Sequence, residues 1–181
     1  MEFSVAIDAN IVRKALRETE VLYTAADCAL SYQALDEKLG SEATNNDFWF
    51  HTRGALRGSF VINWCRLFGV DVKDIYWKQA TIEQKPFREA IYQATGFNYQ
   101  VWDKYRKSMS DLRAILIDHL NPYYPIEDLP DFEPAIKVLE VCHLWLHDVV
   151  TEFELAAEGP VAQQDYFAKV RQDIDQILAK F

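Results

Sequence analysis

Basic residues are scarce in this 181-residue chain: 19 lysines and arginines stand against 28 aspartates and glutamates, for a formal net charge of -9. That balance excludes a nucleic-acid binder working through broad phosphate neutralisation, which needs a basic surface. A local cationic patch stays open. Cysteine is rare as well: Cys28, Cys65 and Cys142 are odd in number, widely spaced and free of any CxxC pairing. This excludes a disulfide framework and a structural zinc built on thiolates, and fits reduced, partly buried thiols in a cytoplasmic protein. No run of 18 apolar residues occurs, so no membrane-spanning helix is expected. The opening Met1-Glu2-Phe3-Ser4 lacks the basic and apolar regions of a signal peptide. Asn-Gly and Asp-Gly hairpin dipeptides are missing, as is sustained two-residue alternation, which argues against a β fold. A Gly-rich phosphate loop is missing too, which argues against a nucleoside triphosphatase.

What is present is helical. Half of the residues are hydrophobic and 14% are aromatic, enough for a sizeable core in one domain spanning residues 1–181. An apolar stripe of Val5, Ala9, Val12, Leu16, Tyr23, Ala26, Leu30 and Leu35 predicts a helix from Ser4 to about Leu39, ended by Gly40. Asn46 or Asp47 caps the next, which stops at Gly69. Gly54 and Gly58 interrupt it four residues apart, at about 1 kcal/mol each. That spacing predicts another backbone packed closely on their face. A short helix is expected at Asp71–Trp77, another at Pro86–Thr95 before Gly96, and a long one at Tyr99–Leu120 capped by Asn98. Val101, Trp102, Tyr105, Met109, Leu112, Leu116 and Ile117 form its apolar face. Helices at about Asp131–Ala157 and Val161–Ala179 complete an all-α, antiparallel up-and-down bundle of four long helices plus short ones.

The residues with most chemistry are Arg113 and His119, near the end of that long helix and beside Asp118. Six residues turn through 600°, so the two side chains leave the axis about 120° and about 9 Å apart. Their polar heads can still converge where the chain leaves the helix at Asn121-Pro122. Arginine offers a planar fork for phosphate, and histidine titrates near neutral pH.

An arginine followed after five residues by a histidine at a helix end, then a proline-containing loop and Leu129-Pro130-Asp131-Phe132 opening the next helix, resembles the HEPN superfamily (higher eukaryotes and prokaryotes nucleotide-binding domains). Trp64-Cys65-Arg66-Leu67-Phe68-Gly69 with Trp77-Lys78 resembles a segment of uncharacterised bacterial members. The likeness spans roughly Phe48 to Leu155. It implies a helical bundle, a homodimer whose two motifs share one cleft, and metal-independent endoribonuclease activity in a toxin, defence or stress-response system. It further implies Arg113 and His119 as catalytic residues, no cofactor and no metal, with RNA as substrate and an antitoxin or other protein as a further partner. Lys104, Arg106, Lys107 and Asp118 are the candidate substrate-binding residues. Active family members carry a polar residue directly after the arginine, where this chain has Ala114. With the acidic balance, this favours an alternative: a catalytically silent HEPN-like module that binds a protein or nucleotide.

The remaining candidates have plain readings. Arg53, Arg57 and Arg66 read as solvated helix faces. Arg113 could equally pair with Asp103, Asp111 or Glu127, and His119 could cap its helix. His143 and His147 have a metal-compatible spacing, but no third ligand is evident and they read as solvent-facing or packed beside Trp145. His51 reads as a helix-face residue, and Glu83, Glu89 and Asp103 show no acid–base spacing. Trp77 and the Tyr123-Tyr124 loop are further candidates for base stacking.

Overall fold

The computed structural model describes residues 9–40, 46–69, 84–118, 129–151 and 165–180. These form six helices and no strand: α1 (Ala9–Leu39), α2 (Asp47–Phe68), α3 (Gln84–Thr95), α4 (Tyr99–Asp118), α5 (Glu133–Thr151) and α6 (Tyr166–Leu178). The expected short helix at Asp71–Trp77, the Tyr123-Tyr124 loop and the expected extension beyond Thr151 lie outside the described residues. Among the described residues, no helix is long and apolar enough to cross a membrane.

Helix ends follow their local chemistry. Asn46 caps α2, its side-chain oxygen accepting from the amides of Phe48 at 3.0 Å and Trp49 at 3.3 Å. Asn98 does the same for Val101 at 3.0 Å, and Asp131 for Glu133 at 3.0 Å. Gly40 and Gly96 adopt φ of 46° and 73°, the left-handed conformation that closes a helix.

Residue pairs fix the helix directions. Tyr32 meets Phe132 and Tyr23 meets His143, so α1 and α5 run in opposite senses. Arg106 reaches the Phe68 carbonyl while the Cys65 thiol donates to the Met109 carbonyl, so α2 and α4 are opposed too. α6 lies along α1 in the same sense: Tyr166 donates to Asp27, and Lys38 to the Leu178 carbonyl.

One hydrophobic cluster draws on all six helices. Trp64 sits at its centre, fully buried, with its indole N–H donating to the Ala135 carbonyl at 3.2 Å. Phe68, Trp102 and Tyr105 surround its ring. Truncating such a side chain costs about 3–5 kcal/mol. The exposed Lys85–Glu89 and Lys137–Glu133 pairs contribute about 0–1 kcal/mol each. The core therefore decides the fold.

The expected stripe on α1 is buried at Tyr23, Ala26, Leu30 and Leu35, and departs from expectation at Leu16. Leu16 is 40% exposed, while Ala15, Glu18, Thr19 and Leu22 point inward. On α4, Val101 and Ile117 stay exposed, and the buried strip narrows to Trp102, Met109 and Leu112.

Candidate functional site

Arg113 projects from the last turns of α4 toward α2. It is half-buried, and its Nε is buried without an acceptor. Among the described residues it makes no ion pair, so the plain pairing with Asp103 or Asp111 is not formed. Glu127 and His119 lie outside the described residues, as does the side chain of Asp118. Beneath Arg113 lies the Cys65 thiol, fully buried. Burial pushes the Cys65 thiol up to about 12, only partly opposed by the positive charge of Arg113. At neutral pH it is an inert neutral group, not a nucleophile.

The other basic residues of α4 do not form one track. Helical geometry sets Arg106 about 20° from Arg113, Lys107 about 120° away and Lys104 on the opposite side. Lys104 and Lys107 are exposed. Arg106 shares the Arg113 face but is engaged with the protein itself. Its Nε donates to the Phe68 carbonyl at 2.5 Å and a terminal nitrogen to the Gly69 carbonyl at 2.7 Å, while the guanidinium lies 5.9 Å from the Trp102 ring centre. These bonds satisfy carbonyls that the end of α2 leaves open.

The basic residues of α2 are where sequence reasoning went astray. Arg53 and Arg57 are 7% and 5% exposed, not solvated, and only Arg66 is exposed as expected. Arg53 pairs with Asp36 at 2.8 Å. Arg57 bonds to the Tyr32 hydroxyl, and burial holds its pKa below the ordinary arginine value. Its Nε is buried and has no acceptor.

Among the described residues, no backbone packs closely against Gly54 or Gly58. A methyl group added at Gly54 or Gly58 would meet no described atom within 4 Å. They open a groove of about 560 Å³ between α2 and the end of α4, into which Phe50, His51, Arg57, Ile62, Asn63 and Leu116 project. Leu116 stands midway in sequence between Arg113 and His119. Among the described residues, no carboxylate lines this groove. A second hollow, of about 290 Å³ between α1 and the start of α5, has the opposite character: Asp36, Glu37, Asp131 and Glu133 all border it.

His143 belongs to neither hollow. It is 4% exposed, packed among the rings of Tyr23, Tyr166 and Phe167, with its Nδ1 3.5 Å from the Tyr23 hydroxyl. His147 lies near it, 3.5 Å from Asp148. Trp145 packs instead on Phe87. Among the described residues, no three histidine, cysteine or carboxylate side chains converge as a metal site. No protein-family model matches this chain, and no curated protein or solved structure matches it.

Proposed function

We propose that this chain is an HEPN-like helical bundle that cleaves RNA without a metal, as a homodimer, within a toxin, defence or stress-response system. The observation that carries the reading is the state of Arg113. Its side chain is half-buried on α4 and makes no ion pair among the described residues. Three residues further on, Leu116 borders an open groove that no carboxylate lines among the described residues. A half-buried guanidinium without an ion partner among those residues is suited to a phosphodiester, whose oxygens accept from the guanidinium fork.

In this reading His119 removes the proton from a ribose 2′-hydroxyl. The 2′-oxygen attacks the adjacent phosphorus, the 5′-oxygen leaves with a proton returned by an imidazolium, and a 2′,3′-cyclic phosphate remains. Arg113 neutralises the charge that builds on the phosphoryl oxygens. The nucleophile belongs to the RNA, so protein groups need only position, neutralise and move protons. The partner subunit's copy of the motif supplies the second imidazole.

The test is cleavage of a mixed single-stranded RNA in EDTA. The native protein is expected to yield cyclic-phosphate ends. His119→Ala is expected to lose about 10²–10⁴-fold in rate. Undiminished cleavage by that variant removes His119 from the mechanism. A second reading, a catalytically silent module that binds a protein or nucleotide, is favoured by Ala114. It occupies an exposed position directly after Arg113 and offers neither a hydrogen bond to phosphate nor one to an imidazole. Under that reading no RNA in the panel is cut.

A further inference from the structure

The cleavage step leaves the Cys65 thiol without a role, yet its bonds converge on the turn of α4 that carries Arg113. The thiol is fully buried and donates to the Met109 carbonyl at 3.4 Å. The Ser110 hydroxyl donates to its sulfur in turn. In an α-helix the Met109 carbonyl also accepts the backbone N–H of Arg113, four residues on. One side chain of α2 therefore grips two successive residues of the turn from which Arg113 projects. Arg106 makes a second fastening about two turns earlier, on the Phe68 and Gly69 carbonyls. Two fastenings along one helix fix its rotation about its own axis as well as its distance from α2. That rotation decides where Arg113 points.

A thiol suits this position for a reason of charge. A carboxylate or a thiolate beneath Arg113 would neutralise the guanidinium. Burial pushes the Cys65 thiol up to about 12, so the sulfur stays neutral and supports the turn without cancelling the cation. Valine would fill a similar space but would offer neither a donor to Met109 nor an acceptor to Ser110. The Arg113 Nε is itself buried while the side chain as a whole is half-exposed. The inner end of the guanidinium thus lies within the joint, where a change in the turn reaches it directly.

We infer that Cys65 and Ser110 are positioning residues for Arg113: together they set the turn of α4 that aims its guanidinium at the scissile phosphate. Neither touches RNA, and both act through Arg113. The effect on rate rests on the cleavage reading; the geometry of the joint does not. A misplacement of about 1 Å can cost about 10²-fold in rate. The charge that Arg113 meets is greatest in the transition state, so loss of this support lowers kcat more than it raises KM.

Nitrogen-15 spectra of the arginine side chains in the full-length protein test the geometry, and Arg113→Lys, which lacks the signal, assigns the Arg113 Nε–Hε peak. In the native protein that hydrogen is expected to exchange with water about tenfold or more slowly than that of the exposed Arg17. Cys65→Ala and Ser110→Ala are each expected to shift the peak and speed its exchange. Cys65→Ser restores a donor and an acceptor, and is expected to return the peak toward its native position. Cys142→Ala removes a buried thiol from α5 and is expected to leave the peak unmoved. If Cys65→Ala does not fold, Ser110→Ala, at a half-buried position, carries the test. Free exchange in the native protein overturns the inference. So do native peaks in both alanine variants, or an equal change in Cys142→Ala. On mixed single-stranded RNA in EDTA, Cys65→Ala is expected to lose about 10–100-fold in kcat with KM changed less than about threefold. An unchanged kcat beside a displaced peak overturns the aiming role. If the peak responds as expected and native protein cuts no RNA, the joint holds Arg113 as inferred and the cleavage reading alone falls.

Discussion

Glu18 shows what a single residue can conceal. It is 2% exposed on α1, and one carboxyl oxygen is buried without a hydrogen bond. Burial pushes its pKa up to about 8, with Lys14 opposing only in part. The folded chain therefore holds a proton that the unfolded chain releases near pH 4.5. Between those values the unfolded state binds fewer protons, so stability falls as pH rises from about 4.5 to about 8 and then levels. Glu18→Gln is expected to flatten that slope and to stabilise the protein at pH 7 by a few kcal/mol, read from urea midpoints at pH 5 and pH 8. A native protein equally stable at both pH values contradicts this. Glu18 was not legible because a charged letter in an apolar stripe reads as a gap in the stripe. Arg53 and Arg57 were missed for a related reason. Hydrophobic period marks arginine as outward, while an arginine stem lies readily along apolar surface. Neither Asp36 nor Tyr32, which receive these two heads, is near in sequence.

At the scale of the element, helix ends were the readable part. Asn46, Asn98, Gly40, Gly69 and Gly96 mark boundaries through local hydrogen bonds and backbone conformation, which need no tertiary contact. What one helix does for another is a tertiary fact and was not legible. Arg106 illustrates it: listed by charge alone with Lys104 and Lys107, it instead holds the C-terminal carbonyls of α2. Arg106→Ala is expected to destabilise the protein by about 1.5–3 kcal/mol through loss of charge-assisted bonds. Lys107→Ala, exposed on another face, should stay within about 0.5 kcal/mol. Thermal denaturation of the two variants separates a cap from a phosphate contact. A neutral Arg106→Ala that nonetheless weakens RNA binding would return Arg106 to the substrate track. Arg113 and His119 were legible as a spacing, and His119 lies outside the described residues; the groove bordered by Leu116 needed both α2 and α4 in place.

At the scale of the whole molecule, the acidic balance bears on how the proposed RNA substrate would be held. A protein of net charge -9 with few basic groups at its site cannot rely on a broad phosphate footprint. In the proposed homodimer one Arg113 from each subunit meets the strand, so about two phosphate charges would be neutralised, and log affinity should fall against log salt with a slope of about -1.4. Binding to the His119→Ala protein between 50 and 200 mM salt, measured by fluorescence anisotropy, reads this directly. A slope of -4 or steeper would mean an extended cationic surface that the described residues do not provide. The same balance explains why composition narrowed the function without naming it: charge sums say what a surface cannot do, and a local exception is invisible in a sum.

The two hollows lie back to back, joined where Tyr32 touches Arg57 and Asp36 holds Arg53. The sign of the local potential thus reverses within the width of a helix pair. A strand emerging from the groove toward α1 would travel into four carboxylates, whereas one leaving along α4 passes Arg113. Under the proposed function, repulsion by those carboxylates would steer an RNA strand along α4 rather than across α1.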